Sequence, residues 1–172
     1  MIKYKKPKLK EKLSKASVQL VSDLLLSIVG QIRVFEGKSR SPGAIYGVSR
    51  SLRMLHEFFE AGFTKEARKY LDSLNHPDLI KAKKNLLTIR EVYSLSRKID
   101  KSKRKLYVEH TDGGIKELAI KLLGLYKKLK GNDEDILTVS KFINENTYFI
   151  IKHKEHNKDI NEKFSMKDFL NN

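Results

Sequence analysis

The chain has 172 residues, of which 40% are hydrophobic, and this is enough for one compact domain with a core of its own. Lysine and arginine outnumber aspartate and glutamate by 36 to 21, so the formal net charge is +15. Such an excess repels itself unless a partner neutralises it. Nucleic acid is the expected partner, because its phosphates release counterions when lysine replaces them. An anionic membrane surface is the second candidate, and a lysine-rich thermophile surface is the alternative that requires no partner.

The chain contains no cysteine, which excludes disulfides, thiolate metal sites and a cysteine nucleophile and predicts an intracellular, cytoplasmic protein. Basic residues over 3–15 followed by apolar residues over 18–29 have the order of a signal peptide. However, Gln19 and Asp23 interrupt the apolar run, and no small-residue cleavage site follows it. The run is also shorter than the roughly 20 apolar residues that cross a bilayer, so we expect no membrane span.

The predicted fold is all-α, a single bundle of five or six helices. Residues 1–8 form a basic arm in this interpretation, because Pro7 discourages helix before it. Residues 9–152 form the helical domain, and residues 153–172 form a polar tail. The tail carries four large apolar residues that predict docking on the domain, on a second copy or on another protein: Phe164, Met166, Phe169 and Leu170.

The first helix is predicted from about Leu9 to Val34 or Phe35, and its apolar residues over 18–29 go nearly all the way round. Such a helix is either the central helix of the bundle, which is the preferred interpretation, or one that also meets another copy of the protein. A glycine- and serine-rich basic loop over 37–43 follows it.

The second helix follows Pro42 and Gly43 and is predicted to end at Gly62. At about 100° per residue its side chains divide between two faces. The apolar face contains Ala44, Ile45, Val48, Leu52, Leu55 and Phe59, and the polar face contains Tyr46, Arg50, Arg53 and Glu57. One face packs, and the other is free to bind.

The remaining periodic stretches predict four more helices. They run from Lys65 to Asn75, from the NHPD turn at 75–78 to about Asp100, from Ile115 to Lys130, and from the acidic stretch 133–135 to about His153. Between the second and third of these, a hairpin across 106–108 is the only strand that the pattern allows.

Basic residues cluster in the arm, in the loop with the second helix, and over residues 97–105. Each cluster has a tyrosine, respectively Tyr4, Tyr46 and Tyr107, that can stack on an unpaired base while the cations hold the backbone. This combination favours RNA or single-stranded DNA, and a solvated basic surface is the alternative. The residues predicted to bind nucleic acid are Lys5, Lys6, Lys38, Arg40, Tyr46, Arg50, Arg53, Arg97, Lys101, Lys103, Arg104 and Lys105.

Catalysis is the less favoured interpretation. Arg50 and His56 fit the arginine-to-histidine spacing of the helical ribonucleases of the HEPN superfamily, in which histidine acts on the 2′-hydroxyl and arginine steadies the phosphate. The two residues point about 120° apart on an ideal helix, so a histidine at the edge of the core is the simpler explanation. His153 and His156 have a spacing that can share a metal, but two ligands make a weak site. We therefore predict no catalytic residue, no metal and no cofactor.

The segment SRSLRML at 49–55 resembles the serine-or-threonine, leucine, arginine, leucine helix in small subunits of type III CRISPR interference complexes. The resemblance implies a compact, basic, all-helical protein of antiviral defence that lacks catalytic residues. It also implies that copies stack along the complex and guide the guide–target duplex or the displaced strand, with Arg50 and Arg53 as the residues involved. The sequence thus predicts a nucleic-acid-binding subunit with protein partners or self-association. The alternatives are a HEPN-like ribonuclease and a helical assembly protein.

Overall fold

The computed structural model describes residues 10, 13–60, 62–83, 87–99, 105–110, 114–146 and 149–153. The predicted arm and the tail residues 154–172 lie outside this set. Within the described residues the chain is mostly helical, which confirms the predicted all-α class. The elements in chain order are α1 (Lys15–Val34), α2 (Pro42–His56), α3 (Lys65–Ser73), α4 (Pro77–Lys83), α5 (Ile89–Ile99), β1 (Leu106–His110), α6 (Gly114–Leu123), a 3₁₀ helix (Gly124–Lys128), α7 (Glu134–Asn146) and β2 (Phe149–His153).

The described elements divide into two compact units. The helical unit contains α1, α2, α6, the 3₁₀ helix and α7. The mixed unit contains α3, α4, α5 and the two strands. The range 9–152, predicted as one bundle, therefore contributes elements to both units.

The helical unit is built around α1, which contacts α2, α6, α7 and the 3₁₀ helix. This confirms the prediction that α1 is a central helix. Its buried residues are Val21, Leu24, Leu25, Ile28, Val29 and Ile32. Three apolar residues of α1 stay exposed, namely Val18, Leu26 and Val34. The near-continuous apolar run is thus explained by several packed neighbours rather than by one.

The first helix begins at Lys15, so the predicted start near Leu9 is wrong. The physical reason is an N-cap at Ser14, whose hydroxyl oxygen accepts a hydrogen bond from the N–H of Ser17 at 3.3 Å. Ser14 has extended backbone angles, which end the helix on its N-terminal side.

The second helix ends at His56 and does not continue to Gly62 as predicted. The backbone leaves the helix because it pairs elsewhere: the N–H of Ile89 donates to the carbonyl oxygen of Phe59 at 3.1 Å, and Glu60 forms an antiparallel bridge with Thr88. Phe59, predicted on the apolar face of the helix, is buried outside it.

The helix predicted from the NHPD turn to about Asp100 is two helices, α4 and α5. The turn itself is confirmed, since α4 begins at Pro77 after Asn75. A new start follows at Thr88, whose hydroxyl oxygen accepts from the N–H of Glu91 at 3.2 Å, while the Glu91 carboxylate accepts from the N–H of Thr88 at 2.7 Å. This reciprocal pair is a capping box, which starts a helix rather than continuing one.

The last helix ends at Asn146, so its predicted extension to about His153 is wrong. Residues 149–153 instead form β2, which pairs antiparallel with β1 in a register that joins Leu106 to His153 and Val108 to Ile151. Ile151 is also held on its other side, because its N–H donates to Gly62 and its carbonyl oxygen accepts from Thr64. The strand predicted at 106–108 exists, but its partner comes from the far end of the described chain rather than from a local hairpin.

Candidate nucleic-acid interface

The division of α2 into two faces is confirmed. Tyr46, Arg50 and Arg53 are exposed. At about 100° per residue, their side chains leave the helix within about 60° of one another around its axis. The opposite face is buried through Ala44, Val48, Leu52 and Leu55, with Ile45 half-buried. The exposed stripe extends about 10 Å along the helix axis, from the 1.5 Å rise per residue. Burial of the leucines therefore fixes the direction of both arginines.

Tyr46 stands out on this stripe, because 68% of its side chain is exposed. An aromatic ring usually contributes to stability by burial, and this ring contributes little. It lies one helical turn before Arg50, which is the arrangement expected where a ring stacks on a base while a guanidinium binds the adjacent phosphate.

The loop before α2 carries two more cations, Lys38 and Arg40, within four residues of the start of the helix. The loop is shaped by turns: the N–H of Lys38 donates to Phe35 at 2.8 Å, and the N–H of Ser41 donates to Lys38 at 3.0 Å. Both cations are exposed. They lie at the N-terminal end of α2, where the helix dipole adds positive potential.

The cations of this surface have no carboxylate partner. Of the described residues, Lys38, Arg40, Arg50 and Arg53 form no ion pair. Three lysines elsewhere in the helical unit are paired, namely Lys121 with Glu117, Lys130 with Glu134 and Lys141 with Glu145. We call the five residues Lys38, Arg40, Tyr46, Arg50 and Arg53 the α2 surface.

The structure does not add all predicted residues to the α2 surface. Arg97 is exposed on α5, and Lys105 precedes β1 with its Nζ 5.3 Å from the centre of the Tyr70 ring. Both belong to the mixed unit. The Lys105–Tyr70 contact is a cation–π geometry, so this lysine has an internal role as well. The other predicted residues, Lys5, Lys6, Lys101, Lys103 and Arg104, lie outside the described residues.

Arg50 and His56, the pair considered for ribonuclease chemistry, are not brought together. Arg50 is exposed, whereas only 4% of His56 is exposed, among the buried residues of α2. A general base must reach the proton that it abstracts, and burial keeps this imidazole away from the surface that carries the arginine. Nor do the described residues contain a group of three or more histidine, aspartate or glutamate side chains that could hold a metal.

A further contact joins the loop to the 3₁₀ helix. Gly37 has a φ of +72°, and a Cβ placed on it would lie 3.0 Å from the Cβ of Tyr126. Two exposed lysines, Lys127 and Lys128, follow Tyr126 directly. The helical periodicity of residues 115–130 places both lysines away from the apolar face and says nothing more about them. Nothing in the periodicity links residue 127 to residue 38, so these cations were not assigned to the site.

A buried carboxylate fixes both ends of this region. The guanidinium of Arg33, at the end of α1, binds Asp135, and the N–H groups of Lys130 and Gly131 donate to the same carboxylate at 2.7 and 3.0 Å. Burial alone would raise the pKa of Asp135, but these donors together hold it below its ordinary value. Asp135 was predicted to serve the helix dipole at the start of α7. In the structure it also ties the chain after the 3₁₀ helix to the end of α1.

Comparison of the chain with known protein families, with curated proteins and with solved structures gives no match. Among the described residues, α1 is the one helix long and apolar enough to cross a membrane by length and composition. The core helix of a soluble protein and a signal sequence both meet the same criteria; α1 lies near the N-terminus and has six buried residues in the helical unit.

Proposed function

We propose that this protein is a non-catalytic subunit that binds RNA or single-stranded DNA through the sugar-phosphate backbone, with the α2 surface as the contact. The observation that carries the proposal is that α2 and the loop before it present four exposed cations without carboxylate partners, two of them on the same helix face as an exposed tyrosine. Cations without partners are available to replace the counterions of a polyanion, whereas paired cations must first give up an ion pair.

The shape of the α2 surface favours a single strand over a duplex. A ring that is 68% exposed can stack on a base only where that base is unpaired. Arg50 and Arg53 lie beside it and supply bidentate donors to phosphate. None of these residues requires a particular base, so we expect binding that depends little on sequence.

The resemblance of segment 49–55 to the arginine-bearing helix of type III CRISPR small subunits supports a place in an RNA-guided complex. In α2 the leucines of this segment, Leu52 and Leu55, are buried, and Arg50 and Arg53 are exposed. A subunit that guides a strand needs this division, because the arginines must be positioned by the fold and still be available to bind the strand. Cytoplasmic localisation and assembly with partner proteins belong to the same proposal.

The proposal is tested by fluorescence anisotropy with matched single-stranded RNA, single-stranded DNA and duplex over a salt series. The variant R50Q/R53Q removes two charges from the α2 surface. The control variant K65Q/K69Q removes two exposed cations, also without carboxylate partners, from α3. Each lost phosphate contact lowers the slope of log K against log salt by about 0.7 for a single strand, so we expect a reduction of about 1.4 for R50Q/R53Q and little change for the control.

The variant Y46A separates stacking from charge. We expect it to weaken single-strand binding by about 1–3 kcal/mol for one base stack and to leave the salt slope unchanged. Two results contradict the proposal. Weak binding that is the same in R50Q/R53Q and in the control favours a helical assembly protein. Cleavage of the RNA by pure protein that His56→Ala abolishes establishes the ribonuclease alternative.

A further inference from the structure

We propose that the binding surface continues past the α2 surface to the 3₁₀ helix, where Lys127 and Lys128 form a second phosphate-binding site for the same single strand. This inference rests on the proposed function and extends it to residues of an element about 70 positions away in the chain. Three observations support it: the close approach of Gly37 to the Tyr126 side chain, the exposure of two lysines, and the hydrogen bonds that hold the neighbouring chain segments.

The contact between the loop and the 3₁₀ helix sets the distance between the two sites. The Cβ positions of residues 37 and 126 are 3.0 Å apart. Lys38 directly follows Gly37, and Lys127 directly follows Tyr126. Consecutive Cα atoms are about 3.8 Å apart, so the Cα atoms of Lys38 and Lys127 lie within about 14 Å of each other. A short run of nucleotides spans that distance.

The geometry of the 3₁₀ helix directs the two lysines to either side of this contact. With three residues per turn, successive side chains are about 120° apart. Tyr126 faces the loop at Gly37, so Lys127 and Lys128 diverge on the two flanks of Tyr126. Both are exposed, and within the described residues neither has an ion pair, whereas Lys130 is paired with Glu134.

The region is also held in place before any ligand binds. Arg33 lies two residues before the loop begins at Phe35, and Lys130 follows the 3₁₀ helix by two residues; both donate to Asp135. One buried carboxylate therefore holds the chain just before the loop and the chain just after the 3₁₀ helix. Backbone that is already held in this way does not have to be ordered when a ligand binds, which lowers the entropic cost of binding.

The test compares K127Q/K128Q with R50Q/R53Q and with the control K65Q/K69Q, on single strands of about 4 and about 16 nucleotides, a range of lengths known for single-strand sites. On the long strand we expect K127Q/K128Q to lower the salt slope by about 0.7 to 1.4 relative to wild type. On the short strand, which fits the α2 surface alone, we expect a smaller reduction. Circular dichroism confirms that the variants fold, and K127E/K128E increases the effect if the site is correct.

The outcomes separate the inference from the proposed function. If R50Q/R53Q lowers the slope on the long strand and K127Q/K128Q behaves like the control, the second site is refuted and the proposed function stands. If neither variant differs from the control, the proposed function fails and the second site fails with it. If K127Q/K128Q alone lowers the slope, the strand binds elsewhere than on α2, and the continuous surface is refuted.

Discussion

Replacing Gly37 with alanine tests how tightly the loop is held against the 3₁₀ helix. The backbone of Gly37 has a φ of +72°, and an L-residue in this left-handed region costs about 1–2 kcal/mol. The new Cβ would also lie 3.0 Å from the Cβ of Tyr126 and 3.5 Å from its Cγ and Cδ1. Tyr126 is 39% exposed and can give way, so we add about 1 kcal/mol for the crowding. Gly37→Ala should therefore lower the free energy of unfolding by about 2–3 kcal/mol.

Gly131 provides a matched control in the same helical unit. Its φ is +82°, but a Cβ placed on it meets nothing within 4 Å. Gly131→Ala should therefore lower the free energy of unfolding only by the backbone term of about 1–2 kcal/mol. Urea denaturation followed by circular dichroism should place Gly37→Ala about 1 kcal/mol below Gly131→Ala with an unchanged m value. In the anisotropy assay Gly37→Ala should also weaken binding to the long strand. Equal stability of the two variants would refute the tight contact between the loop and the 3₁₀ helix.

Three other predictions concern the elements that support the surface. Thr88→Ala removes the cap that Glu91 shares and should cost about 1 kcal/mol in urea denaturation, whereas a continuous helix through this position would be stabilised by alanine. A Cβ placed on Gly30, inside α1, meets nothing within 4 Å. Gly30→Ala should therefore raise the free energy of unfolding by about 0.5–1 kcal/mol, and a loss of stability would show that the space beside Gly30 is not open. Asp135→Asn should destabilise the protein at neutral pH. Because the pKa of Asp135 is lowered in the folded state, its contribution is present above the ordinary carboxyl pKa and is lost as the pH falls through the lower folded value. The denaturation midpoints of wild type and variant should therefore converge as the pH falls below the ordinary carboxyl pKa of about 4, and a constant difference would show that Asp135 acts through packing.

The predictions that succeeded depend on periodicity within one element. The two faces of α2 follow from a 3.6-residue repeat, and burial of Leu52 and Leu55 leaves Arg50 and Arg53 no other direction. The break at the NHPD turn succeeded for a similar reason, because proline restricts the residue before it whatever the rest of the chain does. The capping box at Thr88 and Glu91 could have been read from the sequence too, but the apolar spacing around it continued and concealed it.

The end of α7 and the strand after it could not be predicted in this way. Residues 149–153 continue the apolar character of the preceding helix, and only β1 and the segment at Gly62 and Thr64 supply the hydrogen bonds that make them a strand. Strand formation depends on partners that are distant in sequence, so a local pattern does not determine it.

The sequence alone determined the helical class, the positive charge and the exposed stripe on α2, because each depends on composition or on the repeat of a single helix. The tertiary structure decided that Gly37 lies against Tyr126 and that Asp135 takes Arg33 as its partner. These contacts join residues roughly 90 to 100 positions apart. Their energies come from close approach and from a shared carboxylate in three dimensions, which no spacing along the chain specifies.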